Sequence, residues 1–535
     1  MTTTRTPAHR RRLKGATLLA LALSAVLGIS ACSSSSNDSS SSASTQGNTL
    51  TLAMIGTPVS LDPAVAGPTT LISNLTYLPL IYIDKNAKYQ PGLATSWKYV
   101  DGSAHKQFEL TLRSDAKFSD GTPVTGAAVQ AWLEYFIKAN GPFANSLGVG
   151  TTVSVPKPNT VLISMTTPNP SLPWILAQTN GAGYVASPEA LTNDALAKNT
   201  YGAGQYVYDA SASVAGDTYT FSPNKYFFDQ KAIHWKKIVV KIVSTPTSVE
   251  QGIASGQFNG GPGSIGTISA AKSAGVTVVS SVPSVWNGIA LLNRSDTVDN
   301  PMGNLKVRQA MNYAMDRSAM VKGLINGEGI PTSSWITYDG NNKTSQSAYP
   351  FDVKKAKQLL AEAGYSNGFT FNLLTTTSPL AEGTASQTLS QAVAQQLKNI
   401  GVTVNITEVS PTEFNSNLTS GKFDGCLYSF GINSYATYYG VFLSTTSIFN
   451  MVHKVPLSPE LSQLTDEYLT GSDPDAASKE ITQYVTDQAY NIPLYAPEGV
   501  FFTSKNITNV NIPTNGDFGV GISTMDATQW LPAGN

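Results

Sequence analysis

The chain has 535 residues, more than one ordinary hydrophobic core accommodates, so two or three lobes are expected. Hydrophobic residues make up 41%, which is in the globular range, whereas charged residues reach only 13% against a typical quarter. The formal net charge is −1, and without residues 1–31, which hold five basic residues and no acid, it is −6, so the composition gives no indication of nucleic-acid binding.

The N-terminus has the composition of an export signal. Basic residues between Arg5 and Lys14 precede an apolar run, Ala16–Leu27, that is shorter than a transmembrane helix normally requires. The following Ile29–Cys32 resembles the bacterial lipoprotein processing box, in which cleavage leaves the cysteine first and its sulfur carries lipid. The alternative is an ordinary signal peptide that is cut after Ala31 and leaves Cys32 with an unmodified thiol.

Residues 1–31 are therefore interpreted as a lipoprotein signal peptide, and residues 32–47 as a flexible tether. Ser33–Gly47 is nearly all Ser, Thr, Asn and Gly, and such a coil spans on the order of 20 Å. This predicts an extracytoplasmic protein held at the cell membrane by lipid on Cys32. The other cysteine, Cys426, is expected to be a buried small side chain.

Alternating apolar residues predict strands in the first part of the folded body. Thr49–Ile55 has this pattern, and so does Phe108–Arg113. The segment Pro91–Trp97 precedes a turn at Asp101-Gly102, so it is expected to form a hairpin with the second strand. Thr125 can cap the helix that follows.

A further strand and helix are predicted at Ile238–Val243 and from a Thr247 cap to Ile253, with Gly256 ending the helix. The stretch Gly261–Gly266 formally fits G-x-G-x-x-G. It is interpreted as following a helix rather than a strand, and Pro262 lacks an N–H that could bind phosphate. A nucleotide site is therefore not expected here.

The stretch Val282–Arg317 contains an apolar run, Asn287–Asn293, that is long enough for a strand. After Asn304, a good N-cap, apolar residues recur at a period close to 3.6, which predicts a helix. Asp316 can cap a second helix, which would end at Gly327.

The remaining pattern alternates helices and strands. A helix ended by Gly364 precedes a strand at Phe369–Leu374, and a helix ended by Gly401 precedes a strand at Val402–Ile406. This order predicts a right-handed parallel crossover. A short helix, Thr412–Leu418, then leads to a last apolar strand, Gly425–Phe430.

Residues for catalysis are not recognisable at motif spacing. His105, His234 and His453 have no metal-ligand or nucleophile–base partner at such a spacing, and Ser222–Lys225 is an S-x-x-K motif without K-T-G. We therefore predict no catalytic residues, no metal and no cofactor. The alternative, a secreted lipoprotein hydrolase or amidase, would need a constellation hidden among the many serines.

Seven segments of the chain occur in an order that is familiar from one protein family. They are Ser60–Ala64, Pro91–Trp97, Lys117–Thr125, Tyr201–Tyr206, Val307–Ala310, Ala314–Arg317 and Phe351–Tyr365. These segments resemble the extracytoplasmic solute-binding proteins of ATP-binding-cassette importers, family 5, the peptide- and nickel-binding branch. The resemblance runs from about Thr49 to Pro497, although Gly126–Ala128 replaces an acidic pair usual in that family.

The resemblance implies an α/β, two-lobed periplasmic-binding-protein-like fold (type II, cluster C) with a hinge between the lobes and an extra small inserted domain. It assigns 48–84, 206–284 and 499–535 to a discontinuous lobe I, 85–205 to the inserted domain, and 285–498 to lobe III. It also implies a monomer that captures a small-molecule or peptide ligand and delivers it to the permease and ATPase subunits of an importer. A receptor-like binder that signals to a membrane sensor is an alternative.

The ligand is expected beyond the carboxyl end of the strand Gly425–Phe430, because open α/β sheets bind ligands there. Peptide-binding relatives place an Asp in this block, yet no acid occurs between Asp424 and Glu460. A neutral polar ligand stacked on aromatic rings, such as an oligosaccharide or a blocked peptide, is therefore expected. The expected ligand-binding residues are Trp286, Asn287, Tyr428, Phe430, Gly431, Ile432, Asn433, Tyr435 and Tyr438.

Overall fold

The computed structural model describes residues 48–66, 70–84, 88–139, 141–281, 283, 285–295, 300–334, 347–431, 435–510 and 526–534, which all belong to one compact unit. The expected signal peptide, the tether and the lipidation residue Cys32 lie outside the described residues. Within the described ranges, no helix is both long and apolar enough to cross a membrane.

The first large sheet begins with the predicted N-terminal strand. In β1 (Leu50–Ile55) the side chains of Leu50 and Leu52 are fully buried, as the alternation predicted. β1 pairs in parallel with β10 (Ile238–Val243) and β11 (Gly260–Pro262), whereas β19 (Gly499–Thr503) joins the sheet antiparallel from the far end of the chain. Its described strands are β1 (Leu50–Ile55), β8 (Tyr206–Tyr208), β9 (Thr218–Pro223), β10 (Ile238–Val243), β11 (Gly260–Pro262), β12 (Thr277–Ser281) and β19 (Gly499–Thr503).

A smaller antiparallel sheet lies in the segment assigned to the inserted domain. The predicted hairpin is confirmed, since β4 pairs with β5 around a turn that contains Gly102 in the left-handed region. The sheet has its own apolar core, which the helix Gly126–Lys138 covers with Trp132 and Phe136. Its strands are β4 (Ala94–Tyr99), β5 (Gln107–Leu112), β6 (Thr152–Lys157) and β7 (Thr160–Ser164), and a separate ribbon pairs β2 (Ile81–Ile83) with β3 (Tyr89–Pro91).

The second large sheet is drawn from the segment assigned to lobe III. β15, β16 and β17 run parallel, which confirms the parallel crossover, and β13 lies antiparallel between β17 and β18. Its described strands are β13 (Trp286–Leu291), β14 (Gly329–Pro331), β15 (Phe369–Thr376), β16 (Val402–Val409), β17 (Gly425–Phe430) and β18 (Asn491–Pro497). A ribbon of β20 (Ile507–Thr508) and β21 (Leu531–Pro532) lies near the C-terminus.

Helices cover both large sheets. The fully buried Cys426 lies in β17 among apolar side chains, as expected, and burial raises the pKa of its thiol. The described α-helices are Pro63–Ala66, Thr70–Thr76, Gly126–Lys138, Leu172–Ile175, Ala195–Lys198, Pro246–Ala254, Ile268–Ser273, Leu305–Tyr313, Arg317–Leu324, Val353–Glu362, Ser386–Lys398, Pro411–Leu418, Tyr435–Tyr438, Pro459–Thr470 and Pro474–Asp487.

Most predicted helix starts are confirmed by side-chain caps. Thr125, Asn304 and Asp316 each accept a backbone N–H of the first turn. The prediction of Thr247 was wrong, because Thr245 caps that helix and Pro246 occupies its first turn. The helix Pro411–Leu418 likewise begins one residue early, where Ser410 forms a capping box with Glu413.

Two strand predictions need correction. The strand expected at Asn287–Asn293 spans Trp286–Leu291. The G-x-G-x-x-G stretch does not follow a helix directly, since Gly260–Pro262 is a short strand. The amide of Gly263 nevertheless donates to the carbonyl of Val500 in the neighbouring strand, so this backbone N–H is not directed at a ligand.

Candidate functional site

The chain passes between the two large sheets at two adjacent points. β12 leads into β13, and β18 leads back into β19. Ser281 pairs with Gly499 on the lobe I side, and Asn287 pairs with Tyr495 on the lobe III side. A hinge at these connections, expected near Val285–Asn287, stays a prediction.

The carboxyl ends of the parallel strands of the two sheets face each other. In lobe I this edge is formed by β1, β10 and β11, and in lobe III by β15, β16 and β17. The turn Ile265–Thr267, after β11, lies against the turn Ala381–Gly383, after β15. Ile265 and Leu380 also belong to one apolar cluster that spans both lobes. These edges are where an open α/β sheet binds ligands.

A neutral hydrogen-bonded cluster occupies the lobe III edge on one face of the sheet. Ser429 Oγ donates to Asn287 Oδ1 at 2.5 Å and accepts from the amide of Ala381 at 2.9 Å. The side chains of Asn287 and Tyr495 both donate to Thr384 Oγ1, each at 3.4 Å. The cluster therefore links both connecting strands to the turn that meets lobe I. We call Asn287, Thr384, Ser429 and Tyr495 the polar cluster.

Because the polar cluster is buried, the hydrogen bonds of its side chains matter for stability. Asn287 and Tyr495 are fully buried, and burial raises the pKa of the Tyr495 hydroxyl although hydrogen bonds from its neighbours oppose this. Thr375 lies nearby on β15, fully buried, and its hydroxyl has no hydrogen-bond partner among the described residues. An unsatisfied buried hydroxyl costs about 1–3 kcal/mol, so a group that bonded to it would be favoured.

Aromatic rings occupy the other face of the same strands. Tyr428 and Phe430 lie with ring centroids 4.7 Å apart, and Trp286 stacks on Phe442 at 6.2 Å. Phe442 also contacts Phe430 at 4.8 Å. Trp286 is buried, whereas Tyr428 and Phe430 are half-buried. We call Trp286, Tyr428, Phe430 and Phe442 the aromatic cluster. The structure thus brings together Trp286, Tyr428 and Phe430, which are three of the expected ligand-binding residues, but packs their rings against one another.

The other two expected tyrosines lie in the interior of lobe III. Tyr435 is buried and its hydroxyl lies 2.6 Å from Thr465 Oγ1. Tyr438 is fully buried, accepts from Asn491 Nδ2 at 3.0 Å, and has its pKa raised by burial. Both hydroxyls therefore already have protein partners, and a ligand role for these tyrosines stays a prediction.

The loop after β17 is described only at its start. Gly431 is exposed there. The expected ligand residues Ile432 and Asn433 lie outside the described residues.

Charged residues are scarce at both facing edges. The segments 56–60, 244–245 and 263–267 follow the parallel strands of lobe I, and the segment 377–384 follows β15. Among these described segments the one charged residue is Glu382, and on the strands the exposed Glu408 lies one residue before the end of β16. The edges consist mainly of hydroxyls, amides and backbone groups, which suit hydrogen bonds to an uncharged ligand.

Sequence reasoning missed Thr384, Ser429 and Tyr495. The alternation of β17 carried a signal for Ser429, because a polar residue between Tyr428 and Phe430 must lie on the opposite face from both. Thr384 and Tyr495 carried no such signal, since their contacts to Asn287 depend on the packing of distant segments.

Comparison with known proteins agrees with this architecture. A model of the bacterial extracellular solute-binding proteins, family 5 Middle, matches residues 88–449. The chain is 26% identical over 329 residues to an Escherichia coli K12 protein named as the probable D,D-dipeptide-binding periplasmic protein DdpA, spanning 58% of this chain and 61% of that one. It is 28% identical over 368 residues to the glutathione-binding protein GsiB of the same strain, spanning 65% of this chain and 67% of that protein.

Solved structures share the fold over nearly the whole chain. NikZ from Campylobacter jejuni, in complex with Ni(L-His), is similar with a TM-score of 0.71 and 18% identity, covering 90% of this chain and 99% of that one. The substrate-binding protein CtaP from Listeria monocytogenes has a TM-score of 0.74 and 18% identity, covering 91% and 100%. The fold, the facing strand ends and the matched family model together show that this chain belongs to the bacterial extracellular solute-binding proteins of family 5.

Proposed function

We propose that the protein is the ligand-binding component of an ATP-binding-cassette importer, which captures a neutral polar solute between lobe I and lobe III and delivers it to permease and ATPase subunits. Family 5 members are solute-binding proteins rather than enzymes, and they are extracytoplasmic. The facing strand ends and the paired connections between the sheets support capture by closure about a hinge. The lobe boundaries given above belong to this proposal.

The neutral character of the facing edges carries the proposal for the ligand. The polar cluster offers amide and hydroxyl groups, and burial of an ammonium group without a counter-charge there would cost several kcal/mol. The names of similar proteins include D,D-dipeptide, glutathione and Ni(L-His) as ligands of those proteins. For this chain we favour a blocked peptide or an oligosaccharide, because neither needs a carboxylate.

The half-buried rings Tyr428 and Phe430 are the aromatic surface that we propose the ligand contacts. Asn287 lies buried on the opposite face of the sheet, so its proposed contact with the ligand is at the edge of the sheet where the two faces meet. The buried Trp286 packs against Phe430, with ring centroids 6.3 Å apart. The full proposed set is Trp286, Asn287, Tyr428, Phe430, Gly431, Ile432, Asn433, Tyr435 and Tyr438.

Calorimetry on the mature protein tests the ligand class. The panel contains free di- and tripeptides, the same peptides acetylated at the amine, the acetylated peptides with an amidated carboxyl group, which are uncharged, and neutral oligosaccharides. We expect binding of uncharged members, with no loss on acetylation. Submicromolar binding of a free peptide that is lost on acetylation would contradict the proposal.

If a free peptide binds in this way, Glu382→Gln tests whether the acid at position 382 is responsible, because it is the one acid in the described edge segments. Binding of a neutral ligand should be unchanged in this variant. If a free peptide binds the native protein but not the variant, the acid at position 382 is required for its binding.

We also propose that lipid on Cys32 holds the protein at the outer side of the cell membrane. The motivation is the processing box at Ile29–Cys32 followed by the Ser-rich tether. Two or more acyl chains are expected, because a single chain gives only marginal binding. Cys32→Ala should release the protein, and a variant that still sediments with membranes after a high-salt wash would contradict this proposal.

A further inference from the structure

The inserted domain is joined to lobe I through buried contacts. Tyr135 donates to Asp62 Oδ2 at 2.5 Å, and the Gln178 amide exchanges hydrogen bonds of 2.9 and 2.7 Å with the backbone of Ile83. Ile81 and Ile83 of lobe I also pack inside the apolar core of the inserted domain. The inserted domain and lobe I therefore move as one body.

The same domain reaches lobe III at the end of the helix Pro459–Thr470. His105 Nδ1 lies 2.8 Å from the carbonyl oxygen of Leu469, and Ser171 Oγ lies 2.9 Å from the hydroxyl of Tyr468. We call these four residues the clasp. The inserted domain is preceded and followed in sequence by lobe I segments, so the clasp links it to lobe III without a covalent connection.

The position of Leu469 favours a hydrogen-bond donor. Its carbonyl is among the last four of the helix, which lack partners within the helix and carry the negative end of the helix dipole. An imidazole N–H that donates there satisfies the carbonyl and is favoured by the dipole.

The turn that presents His105 is strained. Ala104 and His105 have φ values of 46° and 58°, in the left-handed region that costs a side-chain-bearing residue about 1–2 kcal/mol. The His105 carbonyl accepts from Asn169 N at 3.1 Å, and the ring packs edge-on to Tyr99 at 4.6 Å. Such strain persists where surrounding contacts hold it, and it is concentrated at functional positions.

The clasp also contacts the candidate ligand site. The ring of Tyr468 packs edge-on to Tyr435, with centroids 5.1 Å apart. Tyr435 is itself one of the proposed ligand-binding residues, and its hydroxyl lies 2.6 Å from Thr465 Oγ1 in the helix Pro459–Thr470. A shift of Tyr435 would therefore be transmitted to Tyr468.

Rotation of lobe III about the two connections changes every distance between the two bodies except those on the rotation axis. Hydrogen bonds tolerate only a few tenths of an ångström before they weaken. His105 and Ser171 lie on the inserted domain, which contributes to neither connection, so we infer that opening the lobes breaks their hydrogen bonds to Leu469 and Tyr468 of lobe III.

We propose that the clasp holds lobe III in the closed position before a ligand binds. His105 and Ser171 of the inserted domain do so through their contacts with Leu469 and Tyr468 of lobe III. This inference rests on the lobe closure of the proposed function, but not on the identity of the ligand. Each clasp bond contributes about a two- to tenfold preference for the closed form.

The test measures the distance between the inserted domain and lobe III in the ligand-free protein. Spin labels are placed at Glu189→Cys and Lys357→Cys, both exposed, in a Cys32→Ser background in which the remaining native thiol, Cys426, is buried. Ser171→Ala and Tyr468→Phe each remove the same hydrogen bond. We expect either change to move the distance distribution toward longer values, and the double variant to be no more open than the single variants.

His105→Gly removes the imidazole that bonds to the Leu469 carbonyl, so it should open the lobes. It also relieves the positive-φ strain, which offsets the lost ring contact with Tyr99, so the melting temperature should change little. Ser154→Ala, at an exposed position of the same domain, and Tyr365→Phe, in lobe III, are the matched controls and should leave the distribution unchanged. Unaltered distributions in all three clasp variants would overturn the proposal. If no compound of the calorimetry panel binds, the clasp proposal is unaffected, because these distances are measured without ligand.

Discussion

The two faces of the lobe III sheet differ in chemistry at the same edge, although neighbouring residues of the same strands build both. On β17, Ser429 belongs to the polar cluster, while Tyr428 and Phe430 on either side belong to the aromatic cluster. On β13, Trp286 and Asn287 divide in the same way. The two-residue period of a strand thus supplies two distinct surfaces from a few consecutive positions.

The comparison suggests a division of roles. Aromatic packing depends on buried area and tolerates small shifts, so the aromatic cluster is expected to contribute most of the stability. Hydrogen bonds between neutral buried groups contribute less but demand defined positions, so the polar cluster is expected to fix the geometry of the edge. Substitutions on the two faces should therefore differ in size and in kind.

The largest effect is expected from Trp286→Ala. Trp286 is 1% exposed and stacks on Phe442, so its truncation should lower the free energy of unfolding by about 3–5 kcal/mol. Denaturant unfolding measures this loss. Met451→Ala is the control in the same lobe, because Met451 is 43% exposed and should lose about 1 kcal/mol or less. Equal losses of unfolding free energy in the two variants would mean that the aromatic cluster is not part of the stable core.

Gly288→Ala tests how closely the aromatic face is packed. A Cβ at Gly288 would lie 2.5 Å from Cζ3 of Trp286 and 2.6 Å from the carbonyl oxygen of Ile492. The overpacking should cost about 1–3 kcal/mol in unfolding experiments. Gly323→Ala is the control, since that position has no heavy atom within 4 Å and lies in the helix Arg317–Leu324, so alanine there should stabilise the protein. The opposite order of the two variants would contradict the packing.

Asn287→Ala moves the test to the polar face. The change removes the acceptor of Ser429 and a donor to Thr384, and leaves buried groups without partners at a cost of about 1–3 kcal/mol. Thermal unfolding measures the loss. Asn405→Ala, which removes an exposed amide contact to Asn372 in the same sheet, should change the melting temperature little. A similar shift in both variants would argue against a buried network at the edge.

Local features of the fold could be predicted because they depend on neighbours in sequence. Strand alternation identified β1 and β5, an apolar run identified β17, and the caps Asn304 and Asp316 were recognisable from residue type and spacing. Thr247 was wrong because another threonine lies two residues earlier, next to Pro246, and proline favours the first turn of a helix.

The site was less predictable because its contacts join distant segments. Ser429 bonds to a residue 142 positions away, and His105 to one 364 positions away. An aromatic sequence also fits a ligand surface and a core equally well. The structure places Tyr435 and Tyr438 inside lobe III, where Thr465 and Asn491 bond to their hydroxyls.

The smallest effect on stability is expected from Thr384→Val, which keeps the shape of the side chain. The hydroxyl accepts two hydrogen bonds at 3.4 Å, near the limit of such contacts, so its loss should cost about 0.5–1 kcal/mol of unfolding free energy. Thr384 nevertheless ends the turn that meets lobe I, so the variant should alter ligand affinity more than stability. Unfolding and calorimetry on one preparation compare the two quantities. A stability loss larger than that of Asn287→Ala, with affinity unchanged, would mean that the polar cluster serves folding and not binding.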